Sequence, residues 1–460
     1  MTARLPDLVN CFQGVIPSLI STCSLDGEPN VTYLSQVYYL DEKRVALSCQ
    51  FFNKTKKNVL ENPYATVVVH DPISFETWRL RLRYHHEEKS GELFDAMATR
   101  IDVIASHTGM AGVFKLISAD VYDVLAVEKV EGFMLPPDPV LDAVPTPVTG
   151  AGPLTELRGL QVVSERIARA DDLESLLASA LTALDELFGF SHSMVLVPDD
   201  AGTRVVEIAS RGYGPHCAGA EVKFGVGAIG TAAERRRMVR ITGVGEEMRY
   251  GRAVRGRVAK DGSAQLVPEV PLPGLPDAQA QLALPLVAGD RLVGVLAVES
   301  RDPLHFDEWD ETYLQIVGSQ IAIGMDRVQQ ADEDGEAAPP SSAKRAAARG
   351  RTQRRFVYFR EDDCVFVDGE YLVRSVPARI LWRLLSWHVR EGRTEFCNRE
   401  LRMDASLGLP PVKDNLESRL ILLRKRLEEK CPDLRMVPVR RGRFELVVDC
   451  APQLEERDQP

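Results

Sequence analysis

Two stretches of this chain cannot join a hydrophobic core, and they set its architecture before any element is assigned. The first, EGFMLPPDPVLDAVPTPVTGAGP (Glu131 to Pro153), carries six prolines. Each lacks an amide donor and has φ locked, so neither a helix nor a central strand runs through it. The second, ADEDGEAAPPSSAKRAAARGRTQ (Ala331 to Gln353), is almost free of large apolar side chains and turns from acidic to basic along its length. Such a composition buries too little apolar surface to order itself. Read as linkers at 131–153 and 331–353, the two leave modules at 5–130, 154–330 and 354–450, matching the roughly three domains expected of 460 residues.

Charge separates the same modules. The formal net charge is −11, yet residues 342–450 hold 24 Lys+Arg against 16 Asp+Glu, a balance of +8 that leaves −19 elsewhere. A basic end on an acidic body predicts nucleic-acid contact confined to that end, with a solvated basic face as the alternative. The eight cysteines form no CxxC pair and share no ligand spacing with histidine, so they read as reduced thiols without a metal. No run approaches the roughly 18 apolar residues of a bilayer span. No basic-then-apolar leader opens the chain, and the expectation is a cytoplasmic protein with no membrane partner.

In the first module, β-rich runs recur between turn signals: PSLISTCS, NVTYLSQVYYL, RVALSCQFF and YATVVVHD, with turns at Asp26-Gly27 and Asp41-Glu42. They predict a hairpin-rich antiparallel sheet, a small barrel. NKTKKNVLENP reads as a short helix halted by Pro63. Free amides at its start, with Lys54, Lys56 and Lys57 nearby, form a candidate phosphate cradle. The order IPSLISTCSLDGEPNVTYLS, VALSCQFFNKTKKNVLENP, SGELFDAMATRIDVIASHTGMAGVFKL resembles the pyridoxamine 5′-phosphate oxidase-like, FMN-binding split barrels over nearly the whole module. The resemblance implies FMN phosphate near Ser48, Asn53, Lys54 and Thr55, and the flavin ring beside Asn30, Thr32 and Ser35. Lys54-Thr55 stands where the true oxidases have Arg-Lys, and their substrate-binding C-terminal pattern is missing, which argues against that activity. Haem or no cofactor remain alternatives to FMN. His85, His86 and His107 have the chemistry of haem ligands, against the plainer reading of surface and helix-end histidines.

The second module opens with a helical pattern from Leu154 to Phe188 that Asp171-Asp172 divides by capping a second helix. Strand-like HSMVLVPD, RVVEIASRGY, AQLALPLVAGD and RLVGVLAVES follow, then an amphipathic helix from FDEWDE onward. With EVKFGVGAIGTAAERRRMVRI and LPLVAGDRLVGVLAVES at their spacing, the segment resembles the GAF small-molecule sensor domains. That resemblance implies a small-molecule ligand and end helices that pair with a second copy, a homodimer. His216-Cys217 is a candidate metal or oxidant sensor if exposed, otherwise an ordinary loop.

In the third module, RRFVYFREDDCVFVDGEYLV reads as strands around a DG turn, and VPARILWRLLSWHVREG as a helix with Pro377 in its first turn and Gly392 at its end. A second helix begins near NRELRM with Asn398 as its cap. In NLESRLILLRKRLEEK, Leu416, Leu420, Leu423 and Leu427 fall on one face, while Asn415, Ser418, Arg419, Leu422, Lys425 and Arg426 share the other and are expected to face a groove. LRMVPVRRGRFELVV closes as a basic hairpin. This order resembles the OmpR/PhoB-type winged-helix domains. The resemblance implies double-stranded DNA as partner, contacted by Lys413, Asn415, Arg419 and Arg426 on the recognition helix and its approach, and by Arg440, Arg441 and Arg443 on the wing. Leu422 departs from a position that is commonly basic there.

The fold class expected is multidomain: an all-β split barrel with helices, an α/β GAF domain and an α+β winged helix. The function expected is one-component transcriptional regulation, in which cofactor or small-molecule sensing governs DNA binding. A flavin- or haem-dependent oxidoreductase regulated by its GAF domain is the rival. No nucleophile–base, metal or dinucleotide motif marks a dedicated catalytic site.

Overall fold

The computed structural model describes residues 4–34, 36–50, 54–113, 115–130, 153–199, 201–213, 219–261, 266, 273–333, 352–409, 416–440 and 442–458. Both segments read as linkers lie almost wholly outside the described residues, as does the His216-Cys217 pair. The chain divides into two units, Met1–Leu157 with Phe224–Leu284 and Ala297–Leu314, and Arg158–Lys223 with Pro285–Leu296 and Gln315–Pro460.

In the first unit, a short 3₁₀ helix, Leu5–Phe12, precedes seven strands: β1 (Ser18–Cys23), β2 (Pro29–Leu34), β3 (Val37–Asp41), β4 (Arg44–Cys49), β5 (Tyr64–His70), β6 (Thr77–Glu88) and β7 (Ser118–Val130). Helix α1 (Lys54–Glu61) follows β4, and α2 (Glu92–His107) follows β6. The strands form one antiparallel sheet in the order β2-β1-β5-β6-β7-β4-β3. Its inner face follows the period of two: Ala65, Val67 and Val69 from β5 and Leu80 and Leu82 from β6 are buried, with Arg79, Arg81 and Arg83 alternating with the leucines. Pro63 stops α1 as expected, because the next residue opens β5.

Helices α3 (Pro153–Arg169) and α4 (Leu173–Phe188) lead into a six-stranded sheet of order β10-β9-β8-β13-β12-β11. Its strands are β8 (His192–Pro198), β9 (Arg204–Arg211), β10 (Glu221–Lys223), β11 (Val239–Thr242), β12 (Ala280–Ala288) and β13 (Arg291–Ser300). Helices α5 (Gly227–Arg235) and α6 (Val244–Asp261) are inserted between its strands, and α7 (Glu308–Glu333) follows. Asp172 caps α4 as the sequence predicts, its carboxylate accepting from Ser175 N at 2.7 Å. Within the first unit α2 packs on α5: Arg235 donates to Asp102 and Thr99, and Gly227 N donates to Ser106 Oγ at 2.8 Å.

The C-terminal elements are β14 (Gln353–Phe359), β15 (Cys364–Val367), β16 (Glu370–Arg374), α8 (Ser375–Glu391), β17 (Glu395–Cys397), α9 (Asn398–Met403), α10 (Leu416–Lys430), β18 (Leu434–Arg440), β19 (Arg443–Val448) and β20 (Ala451–Arg457). Gly392 ends α8 at φ +71, a conformation costly for any residue with a Cβ. Two expectations are corrected. Cys397 is the cap of α9 and Asn398 is its first helical residue, buried at 6% exposure. The module also continues past residue 450, because β20 pairs in parallel with β14. No described helix is long and apolar enough to cross a membrane.

Candidate functional site

In the barrel sheet, the predicted cofactor side gathers where α1 leaves β4. Asn30 and Thr32 share one face of β2. Asn30 Nδ2 donates to Thr55 Oγ1 at 2.9 Å and approaches Thr22 Oγ1 at 3.4 Å, which also accepts from Asn58 Nδ2 at 3.2 Å. Asn30 and Thr55 are thus brought together, with the Thr55 side chain buried. Ser48, on β4, accepts from Gln50 Nε2 at 3.2 Å. Ser35 and Asn53 lie outside the described residues.

The lysines divide. Lys54 meets exposed Glu28 at 2.5 Å. Lys57 is exposed and has no ion-pair partner among the described residues. Lys56 turns inward: Asp120 on β7 takes it at 2.7 Å, Glu87 on β6 at 2.9 Å and the Tyr84 hydroxyl at 3.3 Å. Ser118 Oγ donates to the same Asp120 oxygen at 2.8 Å. Burial opposes the Lys56 charge, but hydrogen bonds to Asp120 and Glu87 outweigh it and hold the ammonium above its ordinary range. Glu87 is pulled down to about 2 by Lys89 and Lys56. Sequence reasoning named Lys56 but missed its partners, which come from strands far along the chain.

These residues fit a phosphate in part. The first turn of α1, with Lys54 and Lys57, offers exposed cations, and a surface pair such as Lys54–Glu28 is worth only about 0–1 kcal/mol. Lys56 is committed elsewhere. The histidines read as haem ligands stand apart from this cluster: His86 Nε2 lies 3.2 Å from Glu88 on β6, and His107 ends α2. Burial, with Arg252 adding to it, pushes the His107 imidazole down to about 4. Among the described residues no cluster of His, Cys, Asp or Glu is arranged for a metal ion.

Helix α10 buries Leu416, Leu420, Leu423 and Leu427 as the periodicity predicts, against Leu381, Leu384 and Leu385 of α8 in one core. Its opposite face, expected to meet a groove, is held by protein along part of its length. Ser418 and Arg419 are buried, at 3% and 8% exposure. Lys425 Nζ reaches Glu207 Oε1 at 3.0 Å, and the side chain of Glu207, on β9, has no solvent exposure. Gly219 N donates to the other Glu207 oxygen at 2.8 Å, and Arg426 donates to Gly219 O at 3.0 Å. Arg424 pairs with Glu174 on α4.

Gly219 makes this approach feasible. A Cβ there would stand 2.8 Å from Arg426 Nε and 2.9 Å from Leu422 Cδ1, and its φ is +67. Leu422 therefore packs against protein, where a base would be poorly solvated. Arg443 opens β19 and is half-buried. Lys413, Asn415 and Arg441 lie outside the described residues, as does the side chain of Arg440.

A GAF domain family model matches residues 170–326, and a pyridoxamine 5′-phosphate oxidase family model matches residues 7–121. No curated protein matches the chain. Solved structures similar to parts of it include the GAF domain of an Acinetobacter phosphoenolpyruvate-protein phosphotransferase, 16% identical, covering 39% of this chain and 97% of that one at TM-score 0.31. Free methionine-R-sulfoxide reductase from Neisseria meningitidis is 22% identical over 38% of this chain and 91% of that one, at TM-score 0.30. An FMN-binding protein from Syntrophomonas wolfei is 17% identical over 28% of this chain and 90% of that one, at TM-score 0.23. The chain is a multidomain protein carrying a β-rich barrel of the pyridoxamine 5′-phosphate oxidase type and a sensor-type GAF domain.

Proposed function

We propose that the chain is a one-component transcriptional regulator whose C-terminal module, a winged helix of OmpR/PhoB type, binds double-stranded DNA under the control of its sensor domains. The observation that carries the reading is the order of its last elements. A strand meander leads to α8, α9 and the cation-bearing α10, and β18 and β19 follow, the first ending at Arg440 and the second opening at Arg443. Lys413, Asn415, Arg419 and Arg426 would read or clamp the duplex from α10 and its approach, and Arg440, Arg441 and Arg443 would follow its backbone. The hold of Glu207 on Lys425 ties that helix to a strand of the GAF domain. A ligand with unequal affinity for the held and released arrangements would shift DNA binding.

FMN is the cofactor the barrel would take, with its phosphate at Lys54 and Lys57 and its ring beside Asn30 and Thr32. When bound it supplies reversible electron transfer. The α2–α5 contacts offer a path from barrel to GAF domain. Homodimerisation is supported by exposed Trp309, Ile316 and Ile323, seven residues apart along α7. Ile323→Glu is expected to turn a dimer into a monomer in sedimentation, and an unchanged dimer would remove this interface.

Fluorescence anisotropy with a pool of random duplexes tests the central reading. The expected result is binding that weakens with salt, and in Arg440→Ala/Arg443→Ala a log–log salt slope shallower by about 2. No binding by full-length protein, or an unchanged slope, would overturn it. The oxidase-family match favours one rival, a flavin- or haem-dependent oxidoreductase. Its expected mark is a chromophore released on denaturation together with turnover that is indifferent to DNA.

A further inference from the structure

The second unit holds a partly open cavity of about 400 Å³. It lies between the β8–β9 pair of the GAF sheet, β16 with the start of α8, and one side of α10. Val206, Ile208, Leu372, Pro377 and Leu422 give it apolar walls. Against them stand five arginines, Arg204, Arg374, Arg379, Arg419 and Arg426, and three carboxylates.

Each carboxylate is already engaged. Asp199 accepts from the amides of Thr203 at 2.8 Å and Arg204 at 3.1 Å. Glu221 is shared by two arginines, Arg204 at 2.7 Å and Arg374. Asp363 accepts from the Tyr358 hydroxyl at 2.5 Å and stands 3.6 Å from Arg379 Nε. Arg426 is engaged in turn by Glu429, at 3.2 Å.

Two buried polar atoms on the wall are unused. Among the described residues Ser418, at 3% exposure, has no hydrogen-bond partner for its hydroxyl, and Arg379 Nε makes no hydrogen bond either. A buried donor without a partner carries its full desolvation penalty, so such groups on a cavity wall point to something that completes them. The volume falls within the roughly 300–1,000 Å³ of small-molecule sites, in which apolar walls hold the body and a few polar groups fix its orientation.

We propose that this cavity is a binding site for a small organic anion, an apolar body carrying one carboxylate, phosphate or sulfonate group. The anionic group is held by Arg379 and the Ser418 hydroxyl, and the body lies against Val206, Ile208 and Leu372. The binding claim stands without the DNA reading; only its consequence rests on that reading. Ser418, Arg419, Leu422 and Arg426 all lie on α10, so an occupant touches the helix proposed to enter the groove.

The probe is anilinonaphthalene sulfonate, an apolar ring system bearing one sulfonate, titrated into full-length protein and followed by fluorescence. One saturable site is expected, weakened about tenfold or more by Arg379→Gln and largely restored by Arg379→Lys, with thermal melts confirming both variants folded. The uncharged N-phenylnaphthylamine is expected to bind at least about tenfold more weakly. Equal binding to wild type and Arg379→Gln, or of the charged and uncharged probes, would overturn the proposal. Duplex binding is measured on the same samples. Arg379 is not among the proposed DNA contacts, so lost probe binding with intact DNA binding and intact probe binding with no DNA binding separate the two readings.

Discussion

Lys56 and Lys425 are both lysines of amphipathic helices, and each ends on a carboxylate almost removed from water. The side chain of Asp120 is 6% exposed and that of Glu207 has no exposure. What differs is where the carboxylate comes from. Asp120 stands on β7, and Ser118 and Tyr84 from the same sheet complete the cluster, so the pair is part of what folds the barrel. Glu207 stands on a strand of the GAF domain, while Lys425 lies on a helix beyond that domain's limit at residue 326. Its second support is a single amide, Gly219 N. A buried pair inside one module behaves as structure. One that joins two modules can be broken with both still folded, and is suited to a switch.

The largest expected effect tests the first half of that contrast. Asp120→Ala removes the closer of the two carboxylates named at the Lys56 ammonium, which is 12% exposed, and leaves Glu87. Removing one partner of a buried pair costs about 3–5 kcal/mol. A denaturant titration of full-length protein should show a loss of that order; a loss below about 1 kcal/mol would mean that Glu87 alone suffices.

The barrel carries a second burial cost at His107, whose folded pKa is about 4 against an ordinary 6.5. Above pH 6.5 the imidazole is neutral in both states. As pH falls through 6.5 the unfolded chain takes up a proton that the folded chain refuses until about 4, so stability is lost on the acid side. The full loss is on the order of 3 kcal/mol. His107→Gln should flatten that part of the stability–pH profile, and an unaltered profile would place the acid sensitivity elsewhere.

The intermodule pair should answer unequally to its two ends. Lys425→Met leaves the Glu207 carboxylate in place, buried, with Gly219 N as its only named donor, at a cost of about 2 kcal/mol or more. Glu207→Gln removes the buried charge and lets Lys425, 28% exposed, turn to solvent, so its stability should stay within about 1 kcal/mol of wild type. The same Glu207→Gln variant should bind duplex DNA several-fold more tightly at low salt, because a cation on α10 is freed. Equal costs from both variants, or unchanged DNA affinity, would erase the distinction between a structural and a releasable pair.

How much of this could be read from sequence follows the range of the interactions. Local signals did well: Asp172 caps α4, Pro63 stops α1, Gly392 ends α8, and the leucines of α10 share one buried face. The alternation of Leu80 and Leu82 with three arginines in β6 is an equally local signal, of a strand with one face buried. Strand β20 was not locally visible, since its charged, proline-containing run is a strand by virtue of β14, about a hundred residues earlier. In the candidate sites the residue types were legible and their commitments were not. Periodicity placed Ser418, Arg419 and Lys425 on the polar face of α10, but a helical wheel cannot report that another domain's carboxylate waits opposite.

The smallest effect sharpens the comparison from its exposed end. Arg424 is as well buried as Lys56, at 16% exposure, yet its partner Glu174 is 55% exposed. If the source of the carboxylate alone decided the strength of these contacts, Glu174→Ala would loosen α10 as Lys425→Met does. If solvent exposure decides, water already screens the Glu174 charge, and the change should cost no more than about 1 kcal/mol. It should also fade as salt is raised, since the Debye length shrinks to about 3 Å near 1 M. Denaturant titrations at low and high salt distinguish the two. A loss that is large and insensitive to salt would mean that the module is held by its periphery as firmly as by Glu207, and the buried pair would no longer be the natural point of release.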